Sequence, residues 1–266
     1  MTKIISAFNE ENAPGCFSDH IVILGWTERV TRIISQLRDD VHRGSNDIKP
    51  ILVVTDQSVD TLNISGSFEK VYFLHGQPNS TEVLQRADLK SARALLIPSS
   101  SLQNTQSDGK AIFSILSALA LCPDLPVCVE ISSPQNEEVI NLAIRNKMIG
   151  DDVEVVSLES VCEQLMAQAA INKGITRIYS HLLDFSDTTN ELYVATLSPT
   201  LSGKTFRELS LLGFDKGAIL LGYEKNGELV LNPLNRETVL NSPDKVWWMS
   251  YNRRDGLLIY SPESLV

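Results

Sequence analysis

Two groups of residues in this 266-residue sequence have types and spacing that could do chemistry. The first is the turn Gly25-Trp26-Thr27, with Asp56 at the end of the next apolar run. A glycine turn between a buried strand and a helix lets backbone approach a pyrophosphate, and an acidic residue ending the second strand can hold a ribose. Only Gly25 survives of the three-glycine fingerprint, because Thr27 and Val30 stand at the second and third glycine positions. Two readings are open: dinucleotide binding, and a self-capped structural turn. The second is favoured. Thr27 is placed to cap the helix with its hydroxyl, and Glu28 puts a carboxylate where the helix dipole favours negative charge. Asp56 is then a plain loop residue, or it holds a nucleoside whose phosphates point elsewhere.

The second group supplies oxygens. Ser99, Ser100, Ser101 and Asp108 belong to the mouth of the same cleft, either binding a polar ligand or forming a hydrophilic loop. Calcium needs several hard oxygen ligands, usually with more than one carboxylate. Glu130, ending a strand, is a metal ligand or a strand-end polar residue, the latter favoured. Asp151 and Asp152, with Glu154, are solvated loop charge or a weak divalent site between subunits. Catalysis finds no support. The histidines His20, His42, His75 and His181 show no HxxxH spacing, and no serine lies in a GxSxG context. A nicotinamide-dependent oxidoreductase would need the missing glycines and an acid/base pair.

The elements that position these residues follow from periodicity. His20–Leu24 is a continuous apolar run, as in a parallel strand covered on both faces. Val30, Ile33, Ile34 and Leu37 then repeat at the spacing of a helix with one buried side. Further strands are expected at Ile51–Val54, Lys70–His75, Ala92–Ile97, Val127–Ile131 and Val153–Val156. Helices come between them: one capped by Asn79 with Val83, Leu84 and Ala87 inward, one through Ala111–Cys122, and Gln135–Met148 with Val139, Leu142 and Ala143 inward. This alternation specifies a doubly wound α/β domain, a Rossmann-like parallel sheet.

After Ser157 the pattern changes. A helix from Leu158 to about Asn172, ending at Gly174, carries Val161, Leu165, Met166 and Ala169 on one side. Short strands follow at Tyr193–Leu197, Ala218–Tyr223, Glu228–Leu231 and Val246–Ser250, with a helix at Lys204–Leu212. Asn226-Gly227 marks a tight hairpin, and Trp247 and Trp248 point to opposite faces. The expected division is a leader over 1–18, an N-lobe over 19–156, a crossover helix over 157–178 and a smaller α+β C-lobe over 179–266.

Composition narrows the function. A net charge of −10 argues against a nucleic-acid surface. The longest apolar stretch is too short to span a bilayer, and residues 1–17 lack a signal-peptide pattern, so a cytoplasmic chain is expected. The four cysteines, Cys16, Cys122, Cys128 and Cys162, have no CxxC spacing, and Cys122 and Cys128 read as small packed hydrophobes.

Three segments together carry a resemblance: HIVILGWTE, HGQPNSTEVLQRADLKSARALLI and LLGYEKNGELVLNPLNRETVLNSPDKVWW. In order and spacing, from Asp19 to Ser250, the chain resembles RCK domains, the regulators of potassium conductance. The GWTE form is closer to calcium-gated microbial channels and Castor/Pollux-type channels than to the GxGxxG subunits of potassium uptake systems. The resemblance implies a ligand-sensing gating-ring domain, a homo-oligomer forming dimers and rings of eight lobes at the inner face of a membrane. It would control a potassium or other cation channel whose pore lies in the same longer polypeptide or in a separate subunit. The implied regulatory ligand is Ca2+, another cation or an adenine nucleotide. In calcium-gated members a carboxylate after the strand matching Ala92–Ile97 and two near the end of the next strand form the metal site. Glu130 matches one; Pro98 and Ser132 stand at the others.

Overall fold

The computed structural model describes residues 6–7, 17–42, 48–58, 62, 69–99, 105–150, 152–183, 190–251 and 260, and these divide into two compact units, the second taking residues 39–42 and the described residues after Asn172. The first unit contains seven strands: β1 (Ser6–Ala7), β2 (His20–Leu24), β3 (Ile51–Thr55), β4 (Val71–His75), β5 (Ala92–Ile97), β6 (Val127–Ile131) and β7 (Val153–Ser157). All pair in parallel in the order β1-β4-β3-β2-β5-β6-β7. The order reverses direction at β2, which makes the sheet doubly wound and puts a crevice beyond the carboxyl ends of β2 and β5.

Each face of the sheet has its own apolar core. On one side Ile23, Val53 and Phe73 pack with Val30 and Ile34 of α1 (Glu28–His42). On the other, Val22, Leu24, Leu52, Leu95 and Val129 pack against α2 (Thr81–Arg86), α3 (Thr105–Leu121) and α4 (Pro134–Arg145). α5 (Leu158–Ile171) completes the unit and buries none of its residues.

Several local expectations need correction. Ser80, not Asn79, precedes α2 in extended conformation, and its side chain makes no capping bond. Val83, Leu84 and Ala87 are buried as expected. In α4 the inward face is Ile140 with Ile144, whereas Val139 and Leu142 are 60% and 52% exposed. The phase is set by Asn136: its bond to Asp108 turns that edge inward, and Ile140 and Ile144 follow at steps of four. Cys128 is exposed rather than packed. Its register partners are Leu96, which only partly joins the cluster under α1, and Glu154, which lies outside it.

The second unit begins with α6 (Ile175–Leu183), a helix absent from the expected elements. Gly174, in the left-handed region at φ +96°, stands two residues beyond the Asn172 cap and separates α6 from α5. Then come β8 (Glu191–Thr196), β9 (Lys204–Thr205), α7 (Phe206–Phe214), β10 (Ala218–Lys225), β11 (Glu228–Leu231), β12 (Val239–Leu240) and β13 (Lys245–Ser250). β11-β10-β13-β8 form an antiparallel sheet, and β12 pairs with β9. Asn226 and Gly227 have φ of +55° and +78°, the angles a two-residue hairpin requires. Trp248 is fully buried among Tyr193 and Tyr260, while Trp247 faces the other way and is half-buried.

Candidate functional site: the crevice at the strand ends

The crevice is built from the β2–α1 turn, the ends of β5 and β6, and the first turns of α3 and α4. Gly25 donates its N–H to the Val54 carbonyl (2.7 Å), and its φ of +96° lies in the left-handed region that favours glycine. Trp26 turns away from the crevice into the core, edge-on to Phe73 with ring centres 5.5 Å apart. Thr27 accepts the Val30 N–H through its carbonyl (2.9 Å), but its hydroxyl is buried without a partner. The expected side-chain cap is therefore absent, and α1 opens on backbone alone. Asp56 is exposed just past β3.

Arg29, one residue beyond Glu28, supplies what periodicity did not reveal. Its Nη1 donates to Glu130 Oε1 at 2.8 Å, across 101 residues of sequence. Glu130 is buried near the end of β6, and its Oε2 accepts the backbone N–H of Ser99 (2.9 Å). Since β5 lies between β2 and β6, this ion pair crosses the crevice above β5.

Asp108 organises the other wall. It is buried in the first turn of α3, and Oδ1 accepts the Ser132 N–H (3.0 Å). Oδ2 accepts the Ser133 N–H and the Asn136 side-chain amide, each at 2.9 Å. Burial alone raises its pKa, but the bonds from Asn136, Ser132 and Ser133 outweigh that and hold the carboxyl below its usual range. Ser99 Oγ lies 3.1 Å from Ser107 Oγ and 3.2 Å from Ser132 Oγ, joining the two walls.

Structure separates the remaining candidates. Asp152 precedes β7, at the opposite end of the sheet from Glu130, where its carbonyl accepts the Val127 N–H (2.8 Å). It lines an open hollow of about 640 Å3 with Asp124, Lys147 and Leu119. Ser100 and Asp151 lie outside the described residues. Among the described residues no three His, Cys, Asp or Glu side chains cluster as metal ligands.

Comparison with known proteins shows what each part of the chain is similar to. Residues 16–129 match the calcium-activated potassium channel slowpoke-like RCK domain, and residues 159–258 match the Castor and Pollux part of voltage-gated ion channels. The first part of the chain is similar to RCK domains and the second to the Castor and Pollux channels. RCK domains are regulatory rather than enzymatic. Curated relatives include the probable ion channel POLLUX of Arabidopsis thaliana, 26% identical over 79% of this chain and 25% of the relative. The probable ion channel POLLUX of Oryza sativa subsp. japonica is 28% identical over 72% of this chain and 20% of the relative. The putative potassium channel protein YugO of Bacillus subtilis is 26% identical over 50% of this chain and 38% of the relative. The chain thus spans about a quarter of the plant relatives' length. The human SLO3 gating ring shares the fold, with a TM-score of 0.66 at 16% identity over 91% of this chain and 46% of that one. No helix among the described residues is long and apolar enough to cross a membrane.

Proposed function

We propose that this RCK-like chain regulates a cation channel from the inner face of the membrane, as part of a homo-oligomeric gating ring. Its pore lies in the same longer polypeptide or in a separate subunit. A ligand bound to the domain shifts the ring between geometries only as far as its affinities for them differ.

One observation carries this reading. α5 has fourteen residues with an apolar stripe of Val161, Leu165, Met166 and Ala169, yet none is buried. Val161 is 52% and Met166 74% exposed. A helix gains most of its stability by packing such a stripe, so α5 calls for a second copy of the chain. The kinship to POLLUX channels supports a pore as the regulated element.

The experiment is rubidium flux through the full-length protein in cells lacking their own potassium uptake, comparing wild type with V161D/M166D. A changed flux at equal membrane abundance is expected. Identical flux and ligand response would contradict regulation through α5. A second reading, a free-standing nucleotide-binding subunit, draws on Asp56, which is exposed past β3 where a ribose-binding carboxylate lies in nucleotide-binding sheets. Gly25, Thr27 and Ser99 would line that site. An ADP- or ATP-induced rise in melting temperature, lost in D56N, would favour it.

A further inference from the structure

We infer that Arg29 is the crevice's own cation: its guanidinium holds the place at Glu130 that a divalent ion would need, so the chain neutralises this site by itself. Glu130 Oε1 takes the Arg29 guanidinium at 2.8 Å, and Oε2 takes the Ser99 N–H at 2.9 Å. Asp108 Oδ1 takes the Ser132 N–H and the Ser107 hydroxyl. Asp108 Oδ2 takes the Ser133 N–H and the Asn136 amide. These two carboxylates are the buried acids of the crevice, and all four of their oxygens already accept a hydrogen from the protein.

Calcium takes about six to eight oxygen ligands, commonly with several carboxylates among them. An ion arriving at Glu130 must first displace a guanidinium in direct contact, then recruit Asp108 away from the bonds that start α4. The guanidinium already neutralises Glu130, whereas a divalent ion in its place leaves the pair at +1 with Arg29 still tethered beside it, so the exchange gains the ion little. Arginine suits the role because it stays charged at every accessible pH, and its weakly hydrated fork accepts burial better than an ammonium. The carboxylate at Asp152 stands at the far end of the sheet and cannot complete the shell. Although the matching family model is named for calcium activation, this crevice is latched by a tethered cation from α1 to β6. The latch is a property of the crevice, whatever the lobes act on.

The test compares melting temperatures of wild type, R29Q, E130Q and R29Q/E130Q with and without millimolar CaCl2, at matched ionic strength. R29Q strips Glu130 of its partner, so it should melt several degrees below wild type without metal and recover part of that loss in calcium. Wild type and R29Q/E130Q should show no calcium shift that depends on residue 130. A calcium-induced rise in wild type that E130Q abolishes overturns the inference, as does an R29Q protein that melts like wild type and ignores calcium. Should R29Q fail to fold, R29K keeps the charge without the fork, and 45Ca binding to wild type against E130Q decides alone. Equal binding by the two supports the latch, and binding lost in E130Q overturns it.

Discussion

At the scale of single residues, the strongest constraint in the crevice is Asp108. Charge-assisted bonds contribute about 1.5–3 kcal/mol each, and a buried donor left without an acceptor costs a similar amount. D108N turns one acceptor into a donor facing an N–H, so it should lower urea-unfolding stability by about 2 kcal/mol at neutral pH. The pH dependence has a definite sign. Because the folded pKa lies below the unfolded one, the carboxylate stabilises the fold above the unfolded value and loses that contribution as pH falls through the folded value. The stability gap between wild type and D108N should therefore narrow below about pH 4. A gap that stays constant with pH would deny the carboxylate its role. In the second unit Trp248 is fully buried and its Nε1–H donates to Ser250 Oγ at 3.2 Å. W248A should cost about 3–5 kcal/mol by urea denaturation. Residues of this kind were partly legible: Gly25 and Glu130 stand out by type, and Asp108 by its place at the cleft mouth. Arg29 was not, because one arginine in a helix's first turn says nothing of a partner two strands away. Thr27 shows the opposite failure. A threonine before a helix matches a cap by type, yet its hydroxyl is turned into the protein, where it meets no donor or acceptor.

At the scale of elements, strand positions followed from apolar runs because a parallel sheet covered on both faces leaves little choice of residue. Helix phase was harder. In α4, Val139 and Ile140 are equally apolar neighbours, and the tertiary bond from Asn136 to Asp108 selects between them. α6 was missed even though Ile175, Ile178, Tyr179 and Leu182 repeat at helical spacing. On sequence, Gly174 reads as the end of one helix with the strand at Tyr193–Leu197 coming next, whereas Gly174 is a break between two helices. The hairpin was plain from Asn226-Gly227, but its tightest point lies elsewhere. A Cβ on Gly222 would run into the carbonyl oxygen of Val230 and the Cα of Leu231 on the paired strand. Because those are backbone atoms, they cannot move aside without parting β10 from β11. G222A should therefore cost about 1–3 kcal/mol, and amide exchange should quicken in β11 before it does in β13. Uniform exchange across the sheet would count against that account.

At the scale of the whole molecule, the order of β2, β5 and β6 within the first unit explains why the crevice exists and why Arg29 can close it. α5 follows the edge strand β7, and no residue of its stripe is fully buried within the described chain. The proposal that a second copy covers it draws on the family resemblance, since an apolar stripe reads alike whether it faces a core or a second copy. The self-association proposed for α5 would link the fold to the proposed gating role, and light scattering on the purified chain over a concentration series tests it most directly. The account predicts a mass of at least twice the 29.4 kDa of one chain, falling to that of one chain in V161D/M166D without loss of helical content. A wild-type chain that stays at 29.4 kDa at every concentration would contradict it.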